Sequence, residues 1–266
     1  MIIAQITDMH IKATAKPDTQ GFDVNSSLAA VLRRLEAHSP RPDLILATGD
    51  LTAYGATQEY EALAGIFAAT TLPVYVLPGN HDDRDRMRAL LPGHDYLPGG
   101  DFLHYVIEDR PLRIVMLDTL NPDSVDGTMC AERCDWLAEQ LAAEPSRPTL
   151  IAMHHPPADI GIGWLDGGNF AGRETVRDIV AAHRQVVGVV CGHVHRCAQA
   201  TVAHAPMHTA GSTAYQFPLE LGDDAPRGRT DEPPAYSLHY WQAGGGLVSH
   251  AGFVPLSAPA APSPAP

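Results

Sequence analysis

No run of this 266-residue chain approaches the ~18 consecutive apolar residues that a membrane span requires, so no membrane association is expected. No basic segment precedes the first apolar run, Ile2-Ile3-Ala4-Gln5-Ile6, so no signal peptide is expected and the expected location is cytoplasmic. Cysteine is scarce. Four in a chain of this size do not make a disulfide scaffold; Cys130 and Cys134 sit one helical turn apart, and all four are expected to be reduced. Positive charge is also short, with 18 Lys and Arg against 31 Asp and Glu, a formal net charge of −13. That balance excludes an extended surface for a nucleic-acid polymer. It leaves room for a small anionic substrate if the site supplies its own positive charge.

The length suits one large α/β domain or two small ones. Short apolar strands alternate with helical spacing along the chain. Ile2 to Ile6 is a strand; Leu28, Val31, Leu32 and Leu35 mark a helix from about Val24 to His38, with Asn25 or Ser26 as its cap. Asp43 to Asp50 is an apolar strand without alternation, as expected for burial on both faces, Glu59 to Ala69 a helix, and Val74 to Leu77 the next strand. Parallel right-handed crossovers follow from that alternation, with the carboxyl ends of the strands on one edge. Phe102 to Ile107 and Leu112 to Asp118 read as two strands joined by a polar turn. Cys130 to Ala143 is a helix carrying Trp136, Leu137 and Leu141 on one face, and Thr149 to Met153 is a buried strand. Ile160 to Phe170 is a Gly-rich loop with Trp164, Arg173 to His183 a helix, and Val186 to Cys191 the last strongly buried strand. Short strands at Thr201–Val202 and Met207–His208 lead to a long polar loop, Leu221 to Pro234. A terminal hairpin, Tyr236 to Trp241 and Leu247 to Val254, turns across Gly244-Gly245-Gly246. Beyond Leu256 the chain holds only Ser, Ala and Pro and is expected to be disordered.

The strand ends carry the chemistry. Thr7-Asp8-Met9-His10 follows the first strand, Gly49-Asp50 the second, and Pro78-Gly79-Asn80-His81-Asp82-Asp83 the third. His154-His155-Pro156-Pro157 and Gly192-His193-Val194-His195 close two later strands. Near a strand end, residues i and i+2 share a face, which puts Asp8 with His10 and His193 with His195. By the same rule His154 and His155 cannot both face one site, so one is a ligand and the other packs. Each cluster alone has a plainer reading as a polar turn. Asp82 and Asp83 are read as caps of the following helix.

Taken in order, D-x-H, G-D, G-N-H-[DE], H and G-H-x-H, the clusters make the chain similar to the calcineurin-like metallophosphoesterase superfamily. The string Gly79-Asn80-His81-Asp82-Asp83 and the length look most like bacterial class III phosphodiesterases acting on cyclic nucleotides or glycerophosphodiesters. The resemblance implies an α/β fold, a four-layer αββα sandwich of two mixed sheets flanked by helices. It implies a catalytic domain over residues 1–215, a cap or dimerisation segment with the hairpin over 216–256, and a disordered tail over 257–266. It also implies two divalent or trivalent transition-metal ions (Fe, Mn, Zn or Co). Asp8, His10 and His195 would hold one ion, Asn80, His154 and His193 the other, and Asp50 would bridge them. Imidazole and carboxylate donors together favour such metals over Mg or Ca.

In that reading a metal-bound hydroxide attacks the phosphorus, and His81 is the catalytic donor or acid at the phosphate or leaving-group oxygen. Asn80, His81 and Tyr215 would contact substrate; Tyr215 is equally readable as packing, and His81 has an alternative as an orienting residue. The expected function is hydrolysis of small phosphodiesters, with 3′,5′-cyclic nucleotides such as cyclic AMP ahead of glycerophosphodiesters because an aromatic rim suits base stacking. A phosphomonoesterase or protein phosphatase is the enzymatic alternative; no arginine lies inside the metal motifs to clamp a dianion, although Arg84 and Arg196 are adjacent. An inactive scaffold is the third, disfavoured because no ligand position is substituted. A homo-oligomer, at least a dimer, is expected from the resemblance.

Overall fold

The computed structural model describes residues 1–17, 21–168 and 170–255. The expected disordered tail, 257–266, lies outside them. In chain order the elements are β1 (Ile2–Ile6), α1 (Val24–Glu36), β2 (Leu44–Thr48), α2 (Thr57–Phe67), β3 (Val74–Leu77) and α3 (Arg84–Leu90). They continue with β4 (Tyr105–Ile107), β5 (Arg113–Leu117), α4 (Ala131–Ala143), β6 (Thr149–Met153), α5 (Gly163–Asp166) and α6 (Arg173–Ala182). The chain closes with β7 (Val186–Cys191), β8 (Ala198–Val202), β9 (Ala205–Thr209), β10 (Ala235–Gln242) and β11 (Gly246–Phe253).

Two mixed sheets form, β11-β10-β1-β2-β3 and β4-β5-β6-β7-β9-β8. Strand alternation assigns each residue to a layer. Leu44 and Leu46 of β2 join Ile3, Leu77, Ile114, Met116, Leu150, Ala152 and Val190 in the core between the sheets. Their neighbours Ile45 and Ala47 face outward onto Leu28, Val31, Tyr60, Leu63 and Met87 of the three N-terminal helices. On the far side, Val115, Ile151 and Val189 pack against Leu137 and Leu141 of α4 and Val176 and Val180 of α6. The result is the expected order helix, sheet, sheet, helix. Each fully buried aliphatic side chain in these layers contributes about 1.5–3 kcal/mol of burial.

The parallel runs β1-β2-β3 and β5-β6-β7-β9 put their carboxyl ends on one edge of the sandwich. The C-terminal hairpin does not stand apart, because β10 pairs antiparallel with β1, from Ile2↔Tyr240 to Gln5↔Ser237.

Several boundaries differ from the sequence expectation. The cap of α1 is Asp23, whose side chain accepts from Ser26 N at 3.1 Å, so neither Asn25 nor Ser26 caps it. Asn25 instead bonds both backbone groups of Lys12. α2 begins at Thr57, two residues before the expected Glu59, because Glu59 reaches back to Ala56 N and Tyr54 N from inside its first turn. The Gly-rich loop contains a one-turn helix, α5, whose formation the Asp166 carboxylate supports by accepting from Ile160 N and Gly161 N.

Candidate metal centre

Asp8 and His10 leave β1 in left-handed backbone, at φ +51° and +45°. Asp50 (φ +49°), His193 (φ +71°) and His195 (φ +50°) do the same after β2 and β7. Six non-glycine residues have positive φ among the described residues, and these are five of them; Ala203 is the sixth. Simple alternation along an extended strand, the basis for pairing Asp8 with His10, is therefore not what brings them together. Each chain turns sharply past its strand end, at a cost of roughly 1–3 kcal/mol per residue, so that the side chains point back across the edge.

They meet in one buried cluster. Donor atoms of Asp8, His10 and His195 lie within 4.8 Å of one another, as do those of Asp8, Asp50 and His154. Asp50 occupies the middle. Its Oδ1 stands 3.4 Å from His154 Nε2, and its Oδ2 stands 3.7 Å from His10 Nε2 and 3.9 Å from His81 Nε2. His195 Nε2 is 3.4 Å from Asp8 Oδ1 and 3.1 Å from His10 Nε2. His193 Nδ1 lies 3.1 Å from Asn80 Oδ1.

Backbone carbonyls select the imidazole tautomers. The Nδ1–H of His154 donates to Thr48 O at 2.8 Å, that of His195 to Tyr215 O at 2.8 Å, and that of His81 to Ala53 O at 2.7 Å. Each bond ties Nδ1 and turns Nε2 toward the cluster, the orientation in which histidine ligates a metal. His154 Nε2 is buried with no hydrogen-bond partner among the described residues. A metal ion would satisfy that nitrogen, so the donor set fits a cation.

Electrostatics agree. Burial holds His10 down to about 3 and His193 down to about 4, so both are neutral imidazoles at neutral pH. For His154 burial also opposes the charge, but the Asp50 and Asp8 carboxylates outweigh it and raise the group to about 9, so its Nε2 carries a proton at neutral pH that a bound cation would displace. For Asp50, burial opposes ionisation and His154, His10 and His81 overcome it, leaving its pKa well below the ordinary carboxylate value.

His155 has a ring nitrogen within 4.8 Å of donor nitrogens of His154 and His193, but both of its nitrogens are engaged elsewhere. Its Nδ1 accepts from Thr119 Oγ1 at 2.7 Å and its Nε2–H donates to Val125 O at 3.1 Å, which spends both nitrogens. Its ring instead backs that of His193, centroids 4.6 Å apart.

Asp82 and Asp83 have separate jobs. Asp83 caps α3, accepting from Arg86 N at 2.9 Å. Asp82 does not cap. It is buried and accepts from Leu51 N, Thr52 N, Gly79 N and the Tyr60 hydroxyl, tying the second and third strand-end loops together behind Asp50.

The cluster floors a cleft of about 450 Å³. His81 and Asn80 line it, and so do Trp164 and Tyr215. Tyr215 both lines the cleft and packs: its ring stacks at 5.5 Å on His10 and lies 4.9 Å from that of His195. Phe217, which sequence reasoning missed, stacks on His195 at 4.1 Å. Arg84 and Arg196 both turn away. Arg84 makes a two-pronged bond to buried Asp118, and Arg196 pairs with Glu232. The arginine that does line the cleft is Arg227, from the polar loop before β10. Nothing in its local sequence marks it, since only the fold carries that loop over the site.

Comparison with known proteins accords with the geometry. The calcineurin-like phosphoesterase family matches residues 1–197. A probable glycerophosphodiester phosphodiesterase of Arcobacter nitrofigilis is 34% identical over 255 residues, covering 96% of this chain and 93% of that protein. A 3′,5′-cyclic-nucleotide phosphodiesterase of Nostoc sp. is 31% identical over 98% of this chain and 95% of its own. A dimetal phosphatase from Danio rerio shares the fold, with a TM-score of 0.67 at 14% identity over 90% of this chain and 92% of its own. The chain belongs to the calcineurin-like phosphoesterase family.

Proposed function

We propose that this protein is a metal-dependent phosphodiesterase for small diesters, cyclic nucleotides and glycerophosphodiesters among them. One observation carries the reading. Five acid and imidazole side chains leave their strands in strained backbone to meet in one place, and two imidazoles, His154 and His195, are oriented with Nε2 toward it by bonds from Nδ1 to backbone carbonyls. Curated relatives covering most of the chain carry phosphodiesterase names of both kinds.

Asp8, His10 and His195 would hold one ion and Asn80, His154 and His193 the other, with Asp50 between them. Fe, Mn, Zn and Co suit these donors. A pair of such ions would supply positive charge for the phosphate and acidify a water nucleophile. The remaining steps belong to side chains. Asn80, through its amide, and His81 face the cleft and position the phosphate. His81 is tethered through Nδ1, so Nε2 is the atom that moves a proton, giving it to the departing alkoxide when the ring is protonated. Residues 216–256 would act as the cap, through Phe217 and Arg227, and as the surface for self-association; Tyr240, Val248 and Phe253 are exposed on β10 and β11. Among the described residues no helix is long and apolar enough to cross a membrane, and the four free cysteines suit the cytoplasm.

The preference for cyclic nucleotides rested on an open aromatic rim. Trp164 does line the rim, but Arg227 lies over its face at 5.3 Å and Phe217 meets it at 5.0 Å. Both substrate kinds therefore stay within the proposed range. The test is turnover of bis(p-nitrophenyl) phosphate against p-nitrophenyl phosphate, with metal content measured on the same preparation. Diester turnover that chelation removes and Mn, Co or Zn restores, and an Asp50→Ala protein depleted of both ions, is the expected result. A clear preference for the monoester would overturn it.

A further inference from the structure

Two loops distant in sequence are laced into one wall of the cleft. Gly163 N donates to Gly222 O at 3.0 Å and Gly222 N to Gly161 O at 2.8 Å. The pairing sets Trp164 of α5 beside Arg227, whose guanidinium carbon lies 5.3 Å from the centre of the indole ring. Phe217 braces the indole from the side, edge-on at 5.0 Å. Arg227 is exposed to the cleft and makes no ion pair among the described residues. The Trp164 Nε1–H is buried without an acceptor among the described residues. Guanidinium and indole N–H are donor-only groups. The guanidinium of Arg227, exposed to the cleft and seated on the indole, is complementary to an anion.

None of Arg227, Trp164 and Phe217 belongs to the proposed ligand set, whose ions would take the scissile phosphate, although all share one cleft. We infer that Arg227 and Trp164 form a subsite for a second anionic group, carboxylate or phosphate, carried on the leaving alcohol of the substrate. The inference rests on the phosphodiesterase reading above and narrows it: among diesters of equal reactivity, those with an anionic headgroup are preferred. Asp126, on the same cleft, is held by Ser124 Oγ at 3.2 Å and stands as the acidic counterpart that a cationic headgroup would otherwise seek.

The experiment compares kcat/KM within two matched pairs. Glycerophosphoserine is set against glycerophosphoethanolamine, and glycerophosphoglycerol carrying a terminal phosphate against glycerophosphoglycerol itself. One exposed charge-assisted contact should favour the anionic member by about fivefold at low salt, in the first pair for a carboxylate and in the second for a phosphate. Arg227→Gln should erase the preference, read as the ratio of kcat/KM values within each pair on one preparation. Arg227→Lys, which keeps the charge, should retain a preference. Equal rates within both pairs for the wild type would overturn the subsite. So would a preference that survives Arg227→Gln, or one lost equally in the Lys and Gln proteins, which would make Arg227 a brace for the indole. Absence of diester turnover by the wild type would instead remove the phosphodiesterase reading beneath it.

Discussion

A β-carbon built on Gly49 would lie 2.5 Å from Nδ1 of His154, the atom through which His154 is hydrogen-bonded to Thr48 O. Gly49 also has φ +93°, so the G-D dipeptide serves two ends at once. It turns the chain out of β2 to aim Asp50, and it leaves room for an imidazole arriving from the other sheet.

Gly49→Ala should therefore damage the metal centre more than the fold. The left-handed backbone costs an alanine about 1–2 kcal/mol, and the displaced His154 should lower metal affinity by roughly 10–100-fold. Metal content after dialysis and thermal unfolding, measured on the same protein, separate the two effects. Retention of wild-type metal content would show that His154 can yield without loss.

His81→Ala should keep its metal and lose kcat. His81 is the most exposed imidazole at the cluster, with 39% of its side chain accessible, and only Nδ1 is tied to the protein. A loss of roughly 10²–10⁴-fold is expected for alkyl leaving groups, shrinking toward unity for nitrophenolates that need no proton. An equal loss across leaving groups would assign His81 to phosphate positioning.

Acid sensitivity should come partly from a histidine far from the cleft. His239 is fully buried between the sheets, with Nδ1 2.7 Å from Ser249 Oγ and Nε2 3.0 Å from Gln5 Oε1. Burial, reinforced by the neighbouring His208, holds its pKa down to about 3; burial alone takes His208 to about 4. The unfolded chain binds these protons near 6.5 and the folded chain does not. Stability is thus fully present above about 6.5 and falls as pH drops toward 3, by up to about 1.4 kcal/mol per pH unit for each group. Urea unfolding between pH 7 and 4 should show a shallower slope for His239→Gln than for the wild type, while identical slopes would exclude this origin.

The strands and the five polar clusters at strand ends were legible in the sequence, whereas the layer that each alternate strand residue faces came only with the two stacked sheets. Short apolar runs such as Leu44–Thr48 have no other stable home than a sheet covered on both faces. The ordered motifs likewise carry the resemblance to a family by themselves. Tertiary structure alone decided which atom of each histidine faces the site. The tautomers of His154, His195 and His81 depend on the carbonyls of Thr48, Tyr215 and Ala53, and the first of these comes from the other sheet. It also decided that Asp82 crosslinks two loops instead of capping a helix, because Leu51 N and Thr52 N present unpaired donors just where its carboxylate is buried. Arg227 is the sharpest case. In sequence it is one charge in a polar, Gly- and Pro-broken stretch, whereas Arg84 and Arg196 sit beside the motifs. Proximity along the chain misleads there, since Asp118 and Glu232 draw those two guanidinium groups away, while a backbone pairing between Gly163 and Gly222 carries the distant loop over the cleft.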